Sequence, residues 1–218
     1  YEDCMNLVEN LIRNVAKNID SLKIPFDNIV LDLNKPFKRK SFSSLVSEQI
    51  GEDVNNLNKE QLDAICKNKQ IKVKPNANIG QMLDALMGEL VEPTLKEPTF
   101  VIDYPKVISP LAKMHRNGDP KLVERFELFI GGDEFANSFS ELNDPVDQRK
   151  RLEEQSSFKK LGDDEAQVLD ENFIQAIECG MPPTGGVGIG VDRLVMLLTG
   201  NTSIKDVILF PTLRSEID

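Results

Sequence analysis

The sequence predicts an α+β fold in which helices flank a mainly antiparallel sheet. Two alternating apolar runs meet at Gly131-Gly132, which is the pattern of a β-hairpin and therefore of antiparallel pairing. Helical segments precede and follow this hairpin without the regular strand–helix–strand order of a doubly wound sheet. Hydrophobic residues are 40% and charged residues 28% of the 218 residues, which excludes disordered and fibrous classes.

The first half of the chain is predicted to be mostly helical. Apolar residues recur at helical spacing over 2–19, at Met5, Val8, Leu11, Ile12, Val15 and Ile19. Further helices are predicted over 41–50, 58–69 and 79–90, with a strand over 28–33. Residues 99–105 (TFVIDYP) predict a strand that ends at Pro105.

The second half begins with the hairpin and returns to helices. A highly charged helix is predicted over 145–160 and another over 164–178, with Asp163 or Asp164 as N-cap and Gly180 as C-cap. The segment MPPTGGVGIGVDRLVMLLTG then predicts one strand followed by one helix.

The charge is acidic and unevenly placed. Of the net charge of -10, residues 119–178 carry -9, from 7 basic and 16 acidic side chains. The acidic net charge argues against a protein that mainly binds nucleic-acid phosphate backbones, because Lys and Arg provide that affinity. Most of these acids are predicted to lie on solvated helix surfaces, and a few of them to bind Mg²⁺ or an ammonium group.

Cysteine and histidine usage narrows the chemistry. Cys4, Cys66 and Cys179 are far apart and form no zinc or disulfide pattern, so we expect a reducing compartment. His115 is the only histidine and is predicted to be an exposed surface residue of a charged loop. No apolar run approaches the roughly 18 residues of a membrane span.

Three glycines at a spacing of two suggest a bare strand face. Gly186, Gly188 and Gly190 would share one side of a strand, and a planar or bulky group must approach it. Arg193 follows at the start of a helix and can reach back over this face to sandwich a planar base. Close packing of another element remains the alternative, and a dinucleotide loop is poorly matched by GGVGIG.

The predicted hairpin carries two sets of candidate site residues. If Gly131 and Gly132 form the turn, residue 129 pairs with 134 and 127 with 136, so Glu127 and Glu134 share a face suited to a divalent cation. Strict alternation places Asn137, Phe139 and Glu141 on the opposite face. A β-bulge between Glu134 and Asn137 would bring both sets to one side.

Several long motifs resemble the class II lysyl-tRNA synthetases. The segment TGGVGIGVDRL resembles motif 3 of the class II enzymes, and the stretch RFELFIGGDEFANSFSELNDPVDQRKRLEEQ resembles a segment specific to the lysyl group. ISPLAK (108–113), DDEAQVLDENFIQAIECGMPPTGG (163–186) and KDVILFPTLR (205–214) resemble it too. The likeness is close from residue 98 onward and looser over 21–97, where we expect a variable helical insertion before a core over 98–214.

The resemblance implies a site and a reaction. Arg193, Gly188, Gly190 and Glu127 are expected to contact ATP, while Glu127 and Glu134 hold Mg²⁺, and with Arg193 they form the catalytic set. Asn137, Phe139 and Glu141 are expected to bind lysine. The implied activity is ATP-dependent formation of lysyl-adenylate, followed by transfer to tRNA(Lys).

The resemblance also implies an incomplete catalytic domain. Motif 1, motif 2 and the anticodon-binding domain of the family are not in this sequence, so the 218 residues alone are expected to be inactive and to leave a sheet edge exposed. The parent protein is expected to be a cytoplasmic homodimer without a membrane segment, with an organellar location left open. Two alternatives stand beside this one: a lysyltransferase that modifies a translation factor, and a non-catalytic binding module.

Overall fold

The computed structural model describes residues 1–26, 29–75, 77–160 and 166–211. The strands are β1 Lys23–Phe26, β2 Ile29–Asp32, β3 Lys38–Ser41, β4 Thr99–Ile102, β5 Arg125–Ile130, β6 Asp133–Ser140 and β7 Gly185–Ile189. The α-helices are α1 Glu2–Asn18, α2 Phe42–Ile50, α3 Lys59–Asn68, α4 Ile79–Leu86, α5 Pro145–Lys160, α6 Glu171–Glu178 and α7 Val191–Thr199.

A five-stranded sheet organises the molecule, in the order β3-β4-β5-β6-β7. Only β3 and β4 are parallel, and the other three pairs are antiparallel. The predicted α+β class with a mainly antiparallel sheet is therefore confirmed. The remaining strands, β1 and β2, form a separate antiparallel pair.

Helix α1 covers one face of the sheet. Its buried stripe packs with apolar side chains of β4 and β5 in one core, which includes Met5, Val8, Ile12, Phe100, Phe126 and Leu128. The helix is confirmed, but the buried stripe is narrower than predicted, because Leu11, Val15 and Ile19 lie on the exposed side.

Among the residues that the structure describes, the other face of the sheet is covered over β4 and β5. There α2, α3, α4 and a wider π-type turn over Met87–Val91 build a second core against Val101 and Phe129. Residues 21–97 thus contribute two strands of a hairpin and the edge strand β3, so the segment is less purely helical than expected. The same face remains open over β6 and β7, and the candidate site lies there.

Several predicted boundaries differ from the structure. Strand β4 ends at Ile102 rather than at Pro105, because Asp103 adopts a left-handed conformation with φ of 59°. Helix α6 begins at Glu171 with Asp170 as N-cap, so the predicted start at 164 is too early. The predicted caps Asp163 and Asp164 lie outside the described residues. The C-cap of α6 is Cys179, and Gly180, the predicted C-cap, lies one residue beyond it with φ of 115°.

The prediction for His115 is wrong. Its side chain is only 13% exposed, and its Nε2 lies 3.2 Å from both Asp103 Oδ1 and the Tyr1 hydroxyl. Tyr1 donates to the same Asp103 oxygen at 2.8 Å. A loop rich in charged residues looked solvated, but these long-range contacts fold the imidazole against the body of the protein.

Candidate active site

A tight turn of two glycines joins β5 to β6. Gly131 and Gly132 both have positive φ, 68° and 95°, which residues with side chains rarely adopt. The ring of Phe26 also occupies the space that a Cβ on Gly131 would need, with Cζ at 2.2 Å. The turn is therefore fixed by the sequence, and it sets the first two pairs of the hairpin as predicted.

A β-bulge changes the register beyond those two pairs. Phe129 pairs with Glu134, but Leu128 then pairs with Ala136, so Phe135 is the extra residue. The predicted pairing of residue 127 with 136 is wrong, because Glu127 lies opposite Asn137.

The bulge gathers the predicted site residues on one face. Directly opposed residues of an antiparallel pair point to the same side, so Asn137 now shares the face of Glu127 and Glu134. The next pairing places Gly188 opposite Asn137 and Gly186 opposite Phe139. Two sets that strict alternation separates thus form one surface, which consists of Glu127, Glu134, Asn137, Phe139, Gly186 and Gly188.

The carboxylate of Glu127 is held by three side chains. The Tyr104 hydroxyl donates to Oε2 at 2.7 Å, while Asn137 Nδ2 donates to Oε1 at 3.0 Å and Arg125 Nη2 donates to the same oxygen. Burial raises the pKa of Glu127, against the lowering effect of Arg125 and Tyr104, and the charge of nearby Glu134 raises it further. The carboxylate is therefore pre-oriented in a crowded acidic region.

Arg125 is a site residue that the sequence reasoning missed. Its Nη1 donates to the Ile108 carbonyl and to Ser109 Oγ, both at 3.0 Å, and its guanidinium lies 4.6 Å from the centre of the Tyr104 ring. It stands two residues before Glu127 in β5, and strand alternation could have identified it as a neighbour on the same face.

The ISPLAK segment is attached to this site by buried polar contacts. Ser109 of this segment binds Arg125. Ala112 of the same segment forms a β-bridge with Glu141, and its carbonyl accepts a hydrogen bond from Arg151 Nη1 at 2.7 Å. Arg151 is 5% exposed although it lies in the highly charged α5. One arginine of that helix therefore has a structural role instead of facing solvent.

A further acid, Glu92, faces the same region. Its pKa is raised to about 7, first by burial and then by the negative charges of Glu127, Asp84, Glu134 and Asp133. Carboxyl groups that disfavour each other's ionisation indicate a place where positive charge is stabilised. Glu92 has no sequence motif, because it comes from the turns after α4.

Glu141 occupies space that a glycine leaves open. A Cβ on Gly186 would lie 1.9 Å from Glu141 Oε1, so the carboxylate rests directly against the bare strand β7. Burial raises the pKa of Glu141. Phe139, which packs partly into the core beside α2–α4, stands between Asn137 and this carboxylate along β6. An apolar wall with an acceptor at its far end suits a chain that ends in an ammonium group.

Gly188, Gly190 and Arg193 lie in three different environments. Within the described part of the chain the face above Gly188 is open, since a Cβ added there would contact only the Asn137 carbonyl, at 3.7 Å. Gly190 lies just beyond β7, as the N-cap of α7, so only two of the three glycines share the strand face. Arg193, in the first turn of α7, donates from Nη1 to the carbonyl of Glu134.

The carboxylates of Glu127 and Glu134 suit Mg²⁺ when a second group, such as a substrate phosphate, supplies the remaining ligands. Within the ranges that the structure describes, no three His, Cys, Asp or Glu side chains converge as a metal site. Mg²⁺ is commonly held by one or two carboxylates and completed by substrate phosphates. The hard oxygens of Glu127 and Glu134 on one face match that requirement.

Comparison with known proteins agrees with this architecture. Residues 1–214 match the family described as tRNA synthetases class II (D, K and N), and the chain belongs to this family. No helix in the described part of the chain has the length and apolar character to cross a membrane.

Curated relatives point to one branch of the family. The chain is 51% identical over 221 residues to a lysine–tRNA ligase of Prochlorococcus marinus subsp. pastoris, 46% over 216 residues to one of Enterococcus faecalis and 52% over 219 residues to one of Trichormus variabilis. These matches cover 98–100% of this chain but only 39–43% of the relatives. The chain therefore spans about two fifths of the length of the curated relatives it matches.

Proposed function

We propose that this chain carries the ATP- and lysine-binding part of a lysine–tRNA ligase. The observation that carries the proposal is the placement of Glu141 against Gly186, on the face that also bears Asn137 and Phe139. The parent protein would take ATP, L-lysine and tRNA(Lys) as substrates, work as a homodimer and reside in the cytoplasm.

The electrostatics favour lysine over the other two amino acids of the family. Glu92, Glu127, Glu134 and Glu141 all border the open face; burial raises the pKa of Glu141, and burial together with the neighbouring carboxylates raises the pKa of Glu92. An ammonium group would neutralise part of this negative charge, whereas the carboxylate of aspartate would increase the repulsion. Phe139 offers the apolar contact that the methylene stem of lysine needs.

The nucleotide would lie over the glycine strand. Gly188 leaves room for a planar base against the backbone, and Arg193 supplies a guanidinium from the first turn of α7. Glu127 and Glu134 would hold Mg²⁺, which, when bound, neutralises phosphate charge and orients the triphosphate.

Adenylate formation requires the protein to position lysine and ATP rather than to form covalent bonds with them. A carboxylate oxygen of lysine attacks the α-phosphorus of ATP, a P–O bond forms, and the bond to pyrophosphate breaks without a proton having to move. Glu141 and Asn137 hold the amino acid, while Tyr104 and Arg125 fix Glu127 so that it need not reorganise during the reaction. The lysyl group then passes from the adenylate to a ribose hydroxyl of tRNA.

A chimera tests this function. The matching segment of the Prochlorococcus marinus lysine–tRNA ligase is replaced by this chain, and ATP–pyrophosphate exchange is measured with lysine, aspartate and asparagine. Lysine alone should support exchange, and Glu141→Gln should raise the KM for lysine by about tenfold or more, since a charged hydrogen bond is worth roughly 1.5–3 kcal/mol. Exchange with aspartate or asparagine, or an inert but folded chimera, would refute the proposal.

The same chimera separates the two alternative functions. Charging of tRNA(Lys), and not of a protein acceptor, identifies the tRNA ligase. A folded chimera that binds neither Mg-ATP nor a stable lysyl-adenylate analogue in calorimetry would identify a non-catalytic module instead.

A further inference from the structure

A second cavity lies away from the candidate active site. It has a volume of about 380 Å³ and is enclosed by α2, α3, α4 and the loops on either side of Pro105 and Pro120. Its walls are mainly apolar and include Phe42, Leu62, Leu83 and Leu122. None of the residues assigned above to ATP, lysine or Mg²⁺ lines it.

The wall of this cavity is built from buried, closely packed side chains. Phe42 is 1% exposed, and its ring packs 5.1 Å from the ring of Tyr104, which is itself buried. Leu62 is likewise 1% exposed. A preformed apolar space of this size falls in the range of small-molecule sites, which are usually 300–1,000 Å³.

Two lysines give the cavity a charge. Lys106 and Lys121 both line it, and the backbone N–H of Lys106 donates to the carbonyl of Lys121 at 2.8 Å, which keeps the two residues side by side. In the described part of the chain neither ammonium group makes a hydrogen bond or ion pair. The one acid in the lining, Asp103, is already engaged by Tyr1 and His115.

We propose that this cavity binds a small amphiphilic anion. The apolar body of the ligand would fill the space beside Phe42, Leu62 and Leu83, and its carboxylate, sulfonate or phosphate would pair with Lys106 and Lys121. Lys106 also contributes to lowering the pKa of Asp147, but it forms no ion pair with that carboxylate, so an anionic head group can give both lysines a hydrogen-bonded partner. The site is independent of the proposed aminoacylation function.

A pair of dyes that differ in charge tests the site. The anionic probe is 8-anilinonaphthalene-1-sulfonate, and the neutral probe is N-phenyl-1-naphthylamine, which has the same rings without the sulfonate. Fluorescence titrations use the whole chain, the double variant Lys106→Met/Lys121→Met and the occluding variant Ser43→Trp. Lys159→Met/Lys160→Met is the control, since it removes the same charge from exposed positions at the end of α5.

The expected results distinguish this cavity from general dye binding. The anionic probe should bind with one-to-one stoichiometry, and Lys106→Met/Lys121→Met should weaken it about tenfold or more while changing the Kd of the neutral probe less than twofold. Ser43→Trp should weaken both probes, and the control should weaken neither. The proposal is overturned if the two lysine pairs have equal effects, or if Ser43→Trp, with an unchanged circular dichroism spectrum and Tm, leaves both affinities intact.

Discussion

Glu127 and Asn137 stand directly opposite each other across β5 and β6, and Asn137 Nδ2 donates to Glu127 Oε1 at 3.0 Å. This pairing exists because Phe135 is bulged out of the register. Without the extra residue, Asn137, Phe139 and Glu141 would point to the face that α1 covers. One inserted residue thus joins the carboxylates proposed for Mg-ATP to the side chains proposed for lysine.

Tyr104→Phe should impair the proposed use of ATP without unfolding the protein. The variant keeps the buried ring but removes the hydrogen bond of 2.7 Å to Glu127. In the chimera, kcat/KM for ATP in pyrophosphate exchange should fall about tenfold or more, while the KM for lysine changes little. Tyr1→Phe is the matched control, because it removes the other tyrosine hydroxyl, which contacts Asp103. Equal effects of the two variants would contradict this assignment.

Arg125→Gln should destabilise the fold strongly. It removes the cation beside Glu127, whose side chain is 13% exposed, and leaves that charge poorly compensated. Breaking a buried pair costs about 3–5 kcal/mol, so urea unfolding should show a loss of that order. Arg149→Gln breaks an exposed pair with Glu171 and should cost less than about 1 kcal/mol. Similar losses for the two variants would contradict the buried environment of Glu127.

Glu92→Gln should stabilise the protein at high pH only. The pKa of Glu92 is raised from 4.5 to about 7, so the folded state binds this proton more tightly than the unfolded state. Its contribution is therefore fully present below pH 4.5 and is lost as the pH rises towards 7 and beyond.

The measurement for Glu92 is the free energy of unfolding at pH 4 and pH 8. Glu92→Gln should match the parent chain at pH 4 and exceed it at pH 8, by no more than about 1 kcal/mol because solvent screens this half-buried group. Glu89→Gln, at an exposed position nearby, is the control for removing one carboxylate from this segment. A gain that is the same at both pH values would exclude the ionisation of Glu92 as its cause.

Two glycine substitutions should separate the proposed subsites. In Gly186→Ala the new Cβ displaces the Glu141 carboxylate, which lies 1.9 Å from its position, so the KM for lysine should rise about tenfold. In Gly188→Ala the Cβ meets only a carbonyl at 3.7 Å and projects into the open face, so the KM for ATP should rise instead. Both values are measured in the chimera, and a shared effect on the two KM values would mean that the subsites are not distinct.

Glu124→Gln should weaken the fold at neutral pH. Burial alone would raise the pKa of Glu124, but the hydrogen bonds from Arg116 and Ser140, together with the charge of Arg116, lower it to about 2. The stability from this carboxylate is therefore present above pH 4.5 and is lost between pH 4.5 and about 2. Glu124→Gln should cost about 2 kcal/mol at pH 7 and much less at pH 2, where about half of the Glu124 carboxyl is protonated in the folded state. Acid unfolding followed by circular dichroism checks this, and an equal cost at both pH values would contradict it.

The sequence by itself determined the local structure of this protein. Gly131-Gly132 requires a tight turn because both residues adopt positive φ, and alternation around it predicts the hairpin and its first two pairs. Helical periodicity located α1, and the glycine spacing predicted a bare strand face at Gly186 and Gly188. The resemblance of whole motifs predicts Glu127, Glu134 and Asn137 as site residues, and the structure places them on one face.

Only the tertiary structure decided how those residues meet. Periodicity assigns one residue to each pairing step, so it cannot show that Phe135 is the extra residue in β6. Tyr104, which binds Glu127, and Tyr1, which contacts His115, come from outside the local segments of those residues, and Glu92 joins the site through turns that carry no motif. Short-range patterns fix backbone conformation, whereas the charge, burial and neighbours of a side chain depend on which distant elements pack against it.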